Sequence, residues 1–219
     1  MLGYIGVTDY EWFQFLSSEP PLDEVNFWRP SDLRSPKQLI PGTPFLFKLK
    51  ARHGDQIVGF GTFARHEILP LWLAWDTFGR KNGGPDFAGF RRQIARLRGG
   101  ASERDQTVND FEIGCILLSE PVWFHEADWV APPANWPANA VQGKGYDISS
   151  GEAARVWQAC LQAAAHAPNR AMPTDLVSVV PEAARYGQAM PVAPRLGQGT
   201  FRLAVTSAYG RACTVTGDD

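Results

Sequence analysis

The sequence predicts an α+β fold, a small strand-rich sheet with helices at its periphery and a helical segment toward the C-terminus. Three observations predict it. Short apolar runs bounded by turn residues fill the first 150 positions, several other stretches carry apolar residues at helical spacing, and 17 Pro with 21 Gly suit many turns better than a helical bundle. With 219 residues the chain fits one large domain or two small ones, and its core needs no disulfide or metal staple.

Taken in order, Gly3 to Val7 reads as an opening strand. Thr8 or Asp9 then caps a short helix whose apolar face is Tyr10, Trp12, Phe13 and Leu16, and Pro20-Pro21 stops it. Val25 to Trp28 is a brief extended stretch closed by Pro30. Phe45 to Lys50 and Ile57 to Phe63 form a strand pair around a His53-Gly54-Asp55 turn. In the stretch from Leu69 to Phe78, Trp72 and Trp75 stand three apart on one helical face. A second helix runs from Phe87 to Leu97, with Phe87, Phe90, Ile94 and Leu97 on one side and arginines on the other. Ala101 to Asp110 is a polar loop, Ile113 to Leu118 a buried strand, and Val122 to Phe124 a shorter one. Gly143 to Asp147 is either a loop near phosphate or a turn before the next helix, Gly151 to His166, which Pro168 ends. Residues 168–194 read as a linker or a loosely packed extension, and residues 195–209 return to helical spacing.

Composition excludes several classes. Net charge is −2, so there is no uniformly basic coat, although a local basic face is compatible with it. No apolar run approaches the roughly 20 residues of a membrane span, and no secretory signal follows Met1. Cys115, Cys160 and Cys213 are too scattered for a disulfide framework or a zinc pair. The expected location is the cytoplasm. No phosphate loop or dinucleotide fingerprint is present, and Gly59-x-Gly61 lacks a third glycine.

Two strings resemble known families. Arg195-Leu196-Gly197-Gln198-Gly199-Thr200-Phe201-Arg202, followed by Ala208-Tyr209-Gly210-Arg211-Ala212-Cys213-Thr214-Val215-Thr216-Gly217, resembles the start of an HNH nuclease domain in bacterial restriction endonucleases. That resemblance implies a general-base His and a divalent metal. His53, His66, His125 and His166 all lie upstream of the string, so the catalytic cluster is expected beyond Asp219. The expectation is a truncated or degenerate chain that keeps the targeting half of a nuclease, has no catalytic residue, metal ligand or cofactor of its own, and is inactive alone. The second resemblance is the order Asn26-Phe27-Trp28, a Pro-Gly turn, Phe45 to Lys50, Ile57 to Phe63, then Trp72 and Trp75. It is similar to the PUA-like group of EVE, YTH, ASCH and SRA domains. It implies a mixed or antiparallel small β-barrel with peripheral helices over residues 1–167, followed by the 168–194 linker and the nuclease start at 195–219.

Such domains imply a reader of modified bases. Extruding a base costs a few kcal/mol, and stacking on aromatic side chains returns about 1–3 kcal/mol per base. Trp28, Trp72 and Trp75 are the candidate walls, Asn26 and Asp76 the candidate edge readers, with Tyr10 and Phe27 behind them. Ordinary core packing is the alternative for each indole. For the phosphates, Arg29, Arg34, Lys37, Lys48, Lys50 and Arg52 face Asp32 alone in sequence, and Arg80, Lys81, Arg91, Arg92, Arg96 and Arg98 face only Asp86. The acids are expected elsewhere, chiefly from Asp105 to Asp128, and Lys144 is a further phosphate candidate. A solvated helix face is the alternative for the second cluster. The expected partner is duplex DNA with 5-methyl- or 5-hydroxymethylcytosine, bound without a membrane, and a homodimer of the full-length enzyme is compatible with cutting both strands. Modified RNA and a small-molecule or nucleotide sensor are the alternatives.

Overall fold

The computed structural model describes residues 1–30, 34, 36–98, 111–167 and 196–208. The loop at 101–110, the linker at 168–194, Arg195 and the string from Tyr209 to Gly217, with Cys213, lie outside the described residues.

Strand β1 (Leu2–Thr8) leads into helix α1 (Tyr10–Ser18). Asp9 is the cap: its Oδ1 accepts from the backbone N–H of Glu11 at 3.1 Å and of Trp12 at 3.3 Å. Then come β2 (Glu24–Arg29), β3 (Pro44–Leu49) and β4 (Ile57–Pro70). Helix α2 (Leu71–Phe78) follows β4 directly. Helix α3 (Phe87–Leu97) is capped by Asp86, which accepts from Gly89 N–H at 2.7 Å, and it buries Phe90, Gln93 and Ile94. Strand β5 (Glu112–Trp123) merges the two short runs expected there into one. Strand β6 (Gly143–Asp147) occupies the segment expected as a loop or turn, then α4 (Gly151–Ala165) and α5 (Gln198–Ala208) complete the order.

The strands form one sheet in the order β2-β5-β4-β3-β1-β6. Only β1 and β3 run parallel; the other neighbours are antiparallel. The sheet is therefore mixed but open, with β2 and β6 at its edges, and the small closed barrel is corrected. A barrel buries one face inside itself, whereas this sheet is covered on both. Trp12, Phe13, Phe47, Phe90 and Trp123 belong to the core on the α1–α3 side, and Ile5, Phe60, Phe124, Trp157 and Cys160 to the core on the α4 side. Covering helices remove the need for closure. Among the described residues, no helix is long and apolar enough to cross a membrane.

Candidate nucleic-acid interface

Where β1 runs into α1, a cleft of about 270 Å³ opens beside β2 and the end of β3. Trp12, Phe27 and Trp28 are its aromatic wall, Asp9, Arg29 and Lys50 its charged groups. Leu97 and Val141 also line it, and Val141 is 82% exposed. Ligand pockets run from about 300 Å³ upward, so this one suits a single planar ring system better than a dinucleotide.

The wall is fixed from behind. Trp12 Nε1–H donates to Asn26 O at 3.2 Å, and Trp28 Nε1–H donates to Asn82 O at 2.8 Å. Asn82 in turn donates its side-chain amide to Ala74 O at 3.0 Å and Gly79 O at 2.8 Å. Gly83 lies at φ +84°, and a Cβ there would run into the Trp12 indole. The Trp12 ring meets Phe27 edge-on at 5.4 Å, and Trp28 meets Phe90 at 6.0 Å. Both indole N–H groups are engaged within the fold, and the rings are largely covered, Trp12 being 2% exposed, so the cleft meets their edges and not a donor.

The sequence-derived wall residues separate. Trp28, 7% exposed, and Phe27 line the cleft. Trp75 packs on Phe87 at 6.2 Å and Phe90 at 5.8 Å, outside the lining. Trp72 is 49% exposed on the outside of α2. Tyr10 stacks on His53 with centroids 4.3 Å apart and planes 5° from parallel. Asn26 is sealed in the core, and its Nδ2 donates to Asn82 Oδ1 at 2.8 Å, so it presents no edge to a ligand. Asp76 pairs with Arg202 of α5 at 3.5 Å and is not in the lining. Neither Asn26 nor Asp76 lines the cleft.

Tertiary pairing also redraws the charge. Lys48 is 2% exposed, sits 2.5 Å from Asp55 and donates to Leu49 O, so it is no phosphate contact. Arg96 holds Glu11 through both of its terminal nitrogens, at 3.1 and 2.8 Å. That hydrogen bonding, against the cost of burial, keeps the Glu11 carboxyl below the usual range. Arg80 grips Glu19 at 2.7 Å and lowers it likewise. Lys81 reaches Asp23 at 2.6 Å and Glu24 at 3.1 Å. Three members of the second cluster, Arg80, Lys81 and Arg96, therefore pair with acids of the N-terminal segment. Arg29 donates to Arg34 O at 2.7 Å, and Arg52 donates to His53 Nε2 at 3.0 Å. Lys37, Arg92 and Lys144 are exposed, Lys144 lying over the Tyr146 ring; Arg91 is half-buried.

Cys115 is sealed in β5, and burial pushes its thiol up to about 12; Cys160 is raised by burial as well. Neither is placed to act as a nucleophile. Among the described residues, no group of three His, Cys, Asp or Glu side chains is arranged to hold a metal. The sequence reading missed Trp12 as a wall and Asn82 as the anchor of Trp28. The Asn82-Gly83 pair directly after a helix was the available signal.

No protein-family model matches this chain, and no curated protein matches it. Among solved structures, the crystal structure of a ZmASCH mutant protein from Zymomonas mobilis is similar at 11% identity, covering 66% of this chain and 90% of that one, with a TM-score of 0.43.

Proposed function

We propose that this chain is a nucleic-acid reader whose cleft receives one base turned out of its stack. The observation that carries the reading is the coincidence, in one cleft, of a fixed aromatic wall (Trp12, Phe27, Trp28) with Arg29 and Lys50. A flat ring gains stacking on the wall, and a cation at the cleft meets the phosphate that accompanies it. The preferred ligand is duplex DNA carrying 5-methyl- or 5-hydroxymethylcytosine. The resemblance of the C-terminal string supports placing the reader in an HNH restriction endonuclease, with the metal and the hydrolytic step belonging to the nuclease half.

Binding of the purified chain to duplexes that differ only in one cytosine, 5-methylcytosine or 5-hydroxymethylcytosine tests the reading by fluorescence anisotropy. The expected result is tighter binding of a modified duplex, lost about tenfold or more in Trp28→Ala. Equal, weak binding of all three with no effect of Trp28→Ala overturns it. A second reading, modified RNA, is favoured by the Tyr10–His53 stack, which follows directly on Asp9 and offers a plane to an unpaired neighbouring base. Displacement of duplex DNA by single-stranded RNA at lower concentration selects that reading.

A further inference from the structure

Asp9 engages one of its two carboxylate oxygens within the fold. Its Oδ1 accepts the backbone N–H groups of Glu11 at 3.1 Å and Trp12 at 3.3 Å, and the Gln93 side-chain amide of α3 at 3.0 Å. Three donors fill that oxygen and orient the carboxyl group from two helices. Oδ2 has no hydrogen-bond partner among the described residues, and Asp9 lines the cleft beside Trp12.

We infer that Asp9 selects the base by its edge: Oδ2 is a single, oriented acceptor for the exocyclic amino group of a cytosine- or adenine-type ring lying against Trp12, Phe27 and Trp28. This rests on the reader function proposed above and names the ligand class of the same cleft. The chemistry follows from the donor pattern. An amino edge presents N–H to the carboxylate oxygen. A uracil- or thymine-type ring offers only an N–H flanked by two carbonyl oxygens, and both repel a carboxylate. A guanine edge presents two adjacent donors that match a carboxylate with both oxygens available, and here Oδ1 is occupied. The free oxygen therefore favours one amino group at the ring edge.

Asp9→Asn separates the roles of the two atoms. Asparagine caps helices about as well as aspartate, so Oδ1 keeps its backbone donors and α1 stays formed. The atom replacing Oδ2 becomes an N–H donor, so the edge preference should invert toward a keto ring. The experiment uses the full chain and fluorescein-labelled oligonucleotides identical except for one unpaired central cytosine, adenine, uracil or guanine, which removes differences in pairing cost. Circular dichroism and thermal melting of each variant confirm the fold. The wild type is expected to bind the cytosine and adenine oligonucleotides about tenfold or more tightly than the uracil one. Asp9→Asn should reduce that ratio to about one or reverse it, whereas Lys50→Ala should weaken all four by a similar factor. Binding that is indifferent to base identity, or a preference unchanged in Asp9→Asn, overturns the assignment of Asp9 and leaves the reader standing. Failure to bind any of the oligonucleotides overturns both.

Discussion

Asn82 uses its whole side chain within the fold. Both amide hydrogens go to carbonyls at the end of α2, Oδ1 takes Asn26, and its own carbonyl takes Trp28. Asn82→Ala removes the side-chain donor from Ala74 O and Gly79 O and leaves Asn26 Nδ2 only Cys115 Sγ, at 3.3 Å. Buried polar groups left unpaired cost about 1–3 kcal/mol each. The variant should melt several degrees lower and bind more weakly at the cleft; a melting temperature within one degree of wild type contradicts the anchoring role. Gly83→Ala acts through sterics instead. A Cβ at positive φ is disfavoured and here meets the Trp12 ring, so a loss of at least about 1 kcal/mol is expected in urea unfolding. Cys115 links pH to stability. Its folded-state value is raised to about 12, above that of the unfolded thiol, so its contribution is complete below about pH 9 and falls away as pH rises toward 12. Urea midpoints measured from pH 8 to 11 should decline, less steeply in Cys115→Val.

The helices and strands show which parts were legible. Strand β3, helix α3 and helix α4 stand close to their expected bounds, because caps and apolar periodicity are local properties of the chain. Strand β6 was not legible: Gly143-Lys144-Gly145-Tyr146-Asp147 has no β-type apolar alternation and is held by its ladder to β1. Helix α5 was read as the lead-in to another domain, yet its N-terminus closes on the buried Glu24 of β2. Gly199 N–H, Thr200 N–H and Thr200 Oγ1–H donate to that carboxylate at 2.7, 3.0 and 2.6 Å, with Lys81 beside it. A Cβ on Gly197 or Gly199 would collide with the Glu24 side chain. Glu24→Ala removes the acceptor and leaves Lys81 with Asp23, so hydrogen exchange at residues 198–208 should rise sharply relative to β4 and β5. Unchanged protection there contradicts the latch.

At the scale of the whole molecule, pairing decides which cations remain for a polyanion. Lys50 lines the cleft, whereas Arg96 is bound through two nitrogens to Glu11. Lys50→Ala should weaken nucleic-acid binding and reduce the salt slope by about one. Arg96→Ala should change binding much less, and equal losses in the two variants would contradict this division. The sequence by itself determined the α+β class, most of the helices and strands, a cap at Thr8 or Asp9 for α1 and the presence of aromatic and basic side chains, because these depend on neighbours within a few positions. Tertiary structure alone decided that the sheet stays open, that Trp28 joins Trp12 rather than Trp72 and Trp75, and that Glu11 of the N-terminal segment pairs with Arg96 of α3. Those outcomes rest on contacts such as Asn26 with Asn82 and Asp9 with Gln93, which lie 56 and 84 residues apart and which no local pattern encodes.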